Sequence, residues 1–135
     1  MLVDSGPLVA AAHDRERRHR ECVSLLETAT RPLLVPELVM AEVAYLVGGR
    51  VGAYAEAALA QSIADGEIAL VPTEPPDWER IAELIEHYLD LPLGLVDAAV
   101  VAIAERLGET TIATLDDRDF SVVRPRHIEA FELVP

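Results

Sequence analysis

Four acidic residues stand where acids are costly. Glu42 has Leu38, Val39, Tyr45 and Leu46 at the i−4, i−3, i+3 and i+4 positions that neighbour it on a helix, and no base lies from Glu37 to Val47. Asp97 is the only charged residue from Leu91 to Ala104, with Leu93, Gly94, Val100 and Val101 at the same spacings. Asp4 closes the apolar run Met1-Leu2-Val3, and Asp116 follows Thr111–Leu115. Each has an ordinary reading on its own: a helix-surface glutamate at 42, a helix N-cap at 97, a turn and cap where Asp4-Ser5 precedes Pro7, and loop residues at Asp116, Asp117 and Asp119. Convergence would change the chemistry. Burying an unpaired carboxylate is costly, and two of them about 5 Å apart repel by roughly 3 kcal/mol at an effective dielectric near 20. The chain has no lysine, and no arginine lies close in sequence to Asp4, Glu42 or Asp97. The natural counter-charge is a hard divalent cation, because Mg²⁺ or Mn²⁺ prefers a few carboxylates plus waters. A metal so held lowers the pKa of its water, orients that water at a phosphorus and stabilises charge on the departing oxygen.

The elements that would carry these acids can be read along the chain. Met1–Asp4 is a short strand, and Ser5-Gly6-Pro7 supplies a helix N-cap and first turn. Cys22–Leu26 has the apolar spacing of a helix with one buried face, and Leu33–Val35 is a second strand. Pro36 opens a helix over Glu37–Val47 that Gly48-Gly49 should end, and an Ala-rich helix continues to about Asp65-Gly66. Ile68–Val71 is a third strand. Asp77–Leu89 is an amphipathic helix with Trp78, Ile81, Leu84 or Ile85, and Tyr88 or Leu89 on one side. Leu95–Leu107 is a nearly all-apolar helix stopped by Gly108, and Thr111–Leu115 is the fourth strand. A fifth lies in Ser121–Val123 or in Ala130–Val134. Strands alternating with helices predict a mainly parallel sheet of about five strands, covered by helices on both faces. In such sheets ligands sit beyond the carboxyl ends of the strands, the edge on which Asp4 and Asp116 fall.

Composition narrows the function classes. At 135 residues the chain has room for one domain, 1–135, whose folding would bury roughly 68% of the unfolded chain's surface. With 51% hydrophobic residues and no apolar run of membrane-spanning length, it reads as a globular cytoplasmic protein with no membrane association. Asp4 breaks the first apolar stretch too early for a secretory signal. Cys22 is the only cysteine, which excludes an internal disulfide. The absence of lysine excludes a Schiff base and a P-loop phosphate clamp. No serine–histidine pairing is evident, since His13, His19, His87 and His127 are scattered and read as surface residues. The net charge of −13 is concentrated in residues 51–117, which hold 14 acids and 2 arginines. By charge alone this is a poor partner for nucleic acid, whose affinity for proteins is dominated by cationic phosphate contacts.

Four segments in order carry a family resemblance: Val3-Asp4-Ser5, then Pro36-Glu37-Leu38-Val39-Met40-Ala41-Glu42-Val43, then Gly94-Leu95-Val96-Asp97-Ala98-Ala99, then Ala113-Thr114-Leu115-Asp116-Asp117-Arg118-Asp119-Phe120. The chain resembles the PIN-domain ribonucleases, specifically the VapC toxins of bacterial and archaeal toxin–antitoxin pairs, over essentially its whole length. The resemblance implies a three-layer α/β/α fold and Mg²⁺-dependent endonucleolytic cleavage of structured RNA, of the tRNA or rRNA class, with Mn²⁺ able to substitute. It implies restraint by a cognate VapB-type antitoxin and a homodimer. By residue, Asp4, Glu42 and Asp97 match the core metal-site acids, Asp116 the usual fourth, and Ser5 and Thr114 the supporting polar residues. Asp119 lies where many relatives carry an acid, as ligand or helper, and Asp117 is an extra acid.

RNA contact in so acidic a chain then falls to Arg15, Arg17, Arg18 and Arg20, supplemented by Arg118, Arg124 and Arg126, as phosphate-positioning groups. The first four are interleaved with Asp14, Glu16 and Glu21, so a solvated helix face is the competing reading. An acid-rich rim could also receive an antitoxin arginine. Met40, Tyr45, Leu46 and Val47 are candidates for a dimer or antitoxin contact, or for core. A phosphomonoesterase of the haloacid dehalogenase type would want a second Asp two residues after Asp4 and a lysine, but Gly6 stands there and lysine is absent. A catalytically silent PIN-fold binding or regulatory module would be expected to lose acids, and all four are present.

Overall fold

The computed structural model describes residues 1–135. Five strands form a single sheet: β1 (Leu2–Val3), β2 (Leu33–Pro36), β3 (Ile68–Val71), β4 (Thr111–Ala113) and β5 (Glu132–Val134). All four pairings are parallel and the spatial order is β3-β2-β1-β4-β5. The chain thus builds outward from β1 to β3 on one side, then returns to lay β4 and β5 on the other. That reversal puts a topological switch point between β1 and β4, where the connections leaving two adjacent strands diverge and open a crevice.

Seven helices flank the sheet in an α/β/α arrangement: α1 (Ser5–Ala12), α2 (His19–Thr28), α3 (Glu37–Arg50), α4 (Ala53–Ala64), α5 (Pro75–His87), α6 (Leu95–Leu107) and α7 (Asp117–Val122). The core is aliphatic, joining Leu2 and Val3 of β1 to Val35, Val39, Val43, Val47 and the run Ala98–Ala104. That run is buried on every side, as expected of a helix apolar all round, and Gly108 ends α6 in the left-handed region at φ 68°.

Several boundaries differ from the sequence expectation. Gly48-Gly49 do not end α3, which runs on to Arg50. A Cβ at Gly48 would lie 2.7 Å from the Glu56 carboxyl carbon, so this glycine serves the close approach of α4 to α3. Of the two candidates for the fifth strand, the one near Ala130–Val134 is formed, whereas Ser121 and Val122 belong to α7. α5 begins at Pro75, capped by Glu74 and Asp77 in a reciprocal box, and ends at His87. Trp78 and Leu89 are exposed while Ile81 and Leu84 face the core. Met40 and Val47 are core residues, which leaves only Tyr45, 81% exposed, and half-buried Leu46 of that proposed contact patch. No helix is long and apolar enough to cross a membrane.

Candidate active site

Asp4 is the residue that follows β1, and its backbone amide donates to the Ala113 carbonyl of β4 at 2.9 Å, which extends the pairing of the two strands to the switch point. It is the N-cap residue of α1, displacing Ser5 from that role, yet its carboxylate makes no capping bond. The side chain is 5% exposed. Thr114, fully buried, donates its hydroxyl to Asp4 Oδ2 at 2.8 Å and accepts the Asp116 amide at 3.0 Å. Thr114 therefore couples the ends of β1 and β4. Gly6 lets them come close, because a Cβ there would meet the Leu115 side chain at 3.0 Å.

Asp97 sits three residues after Gly94, the N-cap of α6, so the cap reading does not hold for it. A Cβ at Gly94 would stand 3.6 Å from Asp97 Oδ2, which shows the side chain folding back over the first turn. That position favours the ionised form through the helix dipole. Burial nevertheless dominates, and with the charges of Asp4, Asp119, Asp116 and Glu42 it pushes the Asp97 carboxyl up to about 7. The Asp4 carboxyl is raised as well, chiefly by burial, against the opposing Ser5 amide and Thr114 hydroxyl and with further contributions from Glu42 and Asp116. All five acids thus lie within electrostatic reach of Asp97 or are it.

The remaining acids are more open. Glu42 is exposed, contrary to what its apolar neighbours suggested, because α3 turns a face holding Ala41, Glu42 and Tyr45 to solvent. Asp116 is exposed and caps α7, its Oδ1 accepting the Arg118 amide at 3.2 Å. Asp119 is half-buried in the first turn of α7, and Asp117 is exposed. None of Asp4, Glu42, Asp97, Asp116 or Asp119 forms an ion pair with a base. No three acidic, histidine or cysteine side chains are gathered at the spacing of a single ion's ligands. The donor set still fits Mg²⁺ or Mn²⁺ in type: hard carboxylate oxygens, two of them on buried or half-buried residues with raised pKa and no protein cation to neutralise them.

The arginines divide. Arg18 is committed in a fork to Glu21 at 2.7 and 3.1 Å and also donates to the Pro135 carbonyl. Arg124 spends its guanidinium on the Ser121 and Val123 carbonyls, and Arg126 on Glu83. Arg15, Arg17, Arg20 and Arg118 are exposed and make no ion pair. The histidines are less superficial than their scattering implied: His13, His19 and His127 are half-buried, with His19 and His127 bonded to the Ala10 and Glu109 carbonyls. Away from the acid edge, Asp77 is 3% exposed and receives the Arg106 guanidinium at 3.0 Å. That buried pair joins α5 to α6, and its only sequence signal is the Glu74-x-x-Asp77 box.

The PIN domain family model matches residues 1–124. Over the full length of both chains, the protein is 34% identical to Ribonuclease VapC26 of Mycobacterium tuberculosis (strain ATCC 25618 / H37Rv). The crystal structure of VapC20 of Mycobacterium tuberculosis, a Sarcin-Ricin loop cleaving toxin, matches with a TM-score of 0.83 at 20% identity, covering 95% of this chain and 98% of that one. At that identity the second likeness is one of fold.

Proposed function

The chain belongs to the PIN-domain family as a VapC-type member, and from that premise we propose that it is an Mg²⁺-dependent endoribonuclease toxin acting on structured RNA of the tRNA or rRNA class. The observation that carries the reading is the pair Asp4 and Asp97 at the switch point, both with raised pKa and neither matched by a base. Asp4, Glu42, Asp97 and Asp116 would hold the cation, Mg²⁺ or Mn²⁺, which when bound activates water and neutralises charge developing at the phosphorus. The chain's own contribution is placement. Thr114 fixes the orientation of Asp4 by donating to its Oδ2, and the Ser5 amide supports the same carboxylate. Asp116 ties α7 to the site through its cap, which keeps Asp119 within reach of Asp97 as a ligand or helper. Arg15, Arg17 and Arg20 are the free cations of the basic segment and would position phosphates, whereas Arg18 is held by Glu21.

The cytoplasm, a homodimer and a cognate VapB-type antitoxin complete the proposal. The uncompensated acid edge is a receptor for an antitoxin arginine, since a guanidinium meets carboxylates in charge-assisted, bidentate bonds. Incubating purified protein with total RNA and Mg²⁺ or Mn²⁺, with EDTA as control, and mapping new RNA ends tests the activity. Cleavage should require the cation and disappear in Asp4→Asn, Glu42→Gln and Asp97→Asn, and weaken in Asp116→Asn. Undiminished cleavage by Asp97→Asn would overturn the assignment. RNA ends that never appear with either cation would leave the silent binding module.

A further inference from the structure

A cleft of about 150 Å³ runs between α1 and α3, lined among others by Ser5, Gly6, Leu46, Leu115, Glu16 and Arg50. Ser5 adjoins Asp4 in the chain, and Leu115 lies between Thr114 and Asp116, so the cleft is lined by chain neighbours of the acid edge though by none of the acids themselves. Glu42, Leu46 and Arg50 follow one another at i, i+4 and i+8 along a single row of α3. Arg50 therefore stands about 12 Å along the helix axis from Glu42, too far to neutralise the acids and well placed beside them.

What Arg50 does within the chain is slight. Its one ion pair is with Glu16 at 3.7 Å, beyond hydrogen-bond length, and the two side chains are 52% and 38% exposed. Exposed pairs of this kind contribute little and exchange readily for a better anion. By contrast Arg18, Arg80, Arg106, Arg124 and Arg126 spend their guanidinium donors on carboxylates or carbonyls at hydrogen-bond distance. Gly6 lies against Leu115 in this cleft, where an added Cβ would come to 3.0 Å from that side chain. A strand of RNA whose reacting phosphate lies at Asp4 and Asp97 must leave the acid edge along some surface, and in a chain of net charge −13 this cleft offers a guanidinium free to meet it.

We propose that the α1–α3 cleft is a phosphate subsite for the RNA strand, in which Arg50 holds a phosphodiester neighbouring the one cleaved. The subsite rests on the ribonuclease reading above, and the test separates the two. A fluorescein-labelled RNA oligonucleotide of random sequence is titrated by anisotropy in Mg²⁺ over a salt series, using Asp97→Asn protein with and without Arg50→Gln or Arg50→Lys. Arg50→Gln should weaken binding about tenfold at the lowest salt and shallow the slope of log K against log salt by about 0.7, the loss of one single-strand phosphate contact. Arg50→Lys should keep the slope at lower affinity, having the charge without the fork. In the chain with Asp97 intact, Arg50→Gln should raise KM and leave kcat. An unchanged salt slope in Arg50→Gln, with RNA still bound, overturns the subsite alone. If that substitution leaves the slope unchanged and converts a dimer to a monomer in sedimentation, Arg50 serves a contact between protein chains and the subsite is wrong. A parent protein that binds no RNA at any salt and yields no new RNA ends with either cation overturns the ribonuclease reading and the subsite with it.

Discussion

At the scale of the residue, Asp97 links chemistry to stability. Its carboxyl titrates near 7 in the fold and near 3.8 in an ordinary setting. Between about pH 4 and 7 the folded, metal-free protein therefore binds more protons than the unfolded chain, and stability falls as pH rises through that window. In EDTA the melting midpoint should be lower at about pH 8 than at about pH 5, by an amount corresponding to about 1–3 kcal/mol once partial exposure is discounted. Asp97→Asn should remove most of this slope, and a slope that survives intact would assign it to other groups. Thr114 offers a finer probe. Thr114→Val keeps the shape but removes the donor to Asp4 Oδ2 and the acceptor of the Asp116 amide. It should lower stability by about 1–2 kcal/mol and raise the Mg²⁺ concentration needed for half-maximal cleavage roughly tenfold, as loss of a ligand-orienting partner does. An Mg²⁺ titration with an unmoved midpoint would reduce Thr114 to a structural role. Of the acids, Asp97 was legible from the apolar company it keeps in sequence. Apolar neighbours are a false guide to burial at Glu42, because Val39 and Leu46 face inward while Tyr45 and Glu42 face out.

At the scale of the element, α5 and α6 are clasped by Asp77–Arg106 and Arg80–Glu105, and α6 is the helix that carries Asp97. Asp77→Ala removes a buried carboxylate from Arg106, which keeps the Pro72 carbonyl at 2.8 Å and Glu74 at 3.4 Å, and should cost about 1.5–3 kcal/mol, read as a lowered urea midpoint with the Mg²⁺ dependence of cleavage unchanged. A substitution that left the midpoint in place would show the pair to be exposed and dispensable. Gly6→Ala acts differently, since its Cβ would press on Leu115 and spread the ends of β1 and β4. The alternation of strands and helices was plain in the sequence because β1, β2 and β3 are short apolar runs punctuated by Pro or Gly. Pairings over long separations were not: the Arg106–Asp77 and Arg80–Glu105 partners lie 29 and 25 residues apart. Gly48-Gly49 reads locally as a helix stop, whereas in the fold Gly48 is the place where Glu56 packs against a helix that runs on to Arg50.

At the scale of the whole molecule, the fold gathers at one edge the charges that weaken it. The net charge of −13 and the unpaired acids at the switch point oppose folding, while the flanking helices and aliphatic core hold the acids in place. On the proposed reading function and stability are opposed at this edge, and a divalent cation would reconcile them by binding the native state. Thermal melts of the parent and of Asp97→Asn, each with EDTA and with saturating Mg²⁺, test that claim most directly. Asp97→Asn should melt higher than the parent in EDTA, by an amount corresponding to about 1–3 kcal/mol, and Mg²⁺ should raise the parent more than the variant. An Asp97→Asn protein that melts lower than the parent in EDTA, with Mg²⁺ shifting both alike, would contradict it.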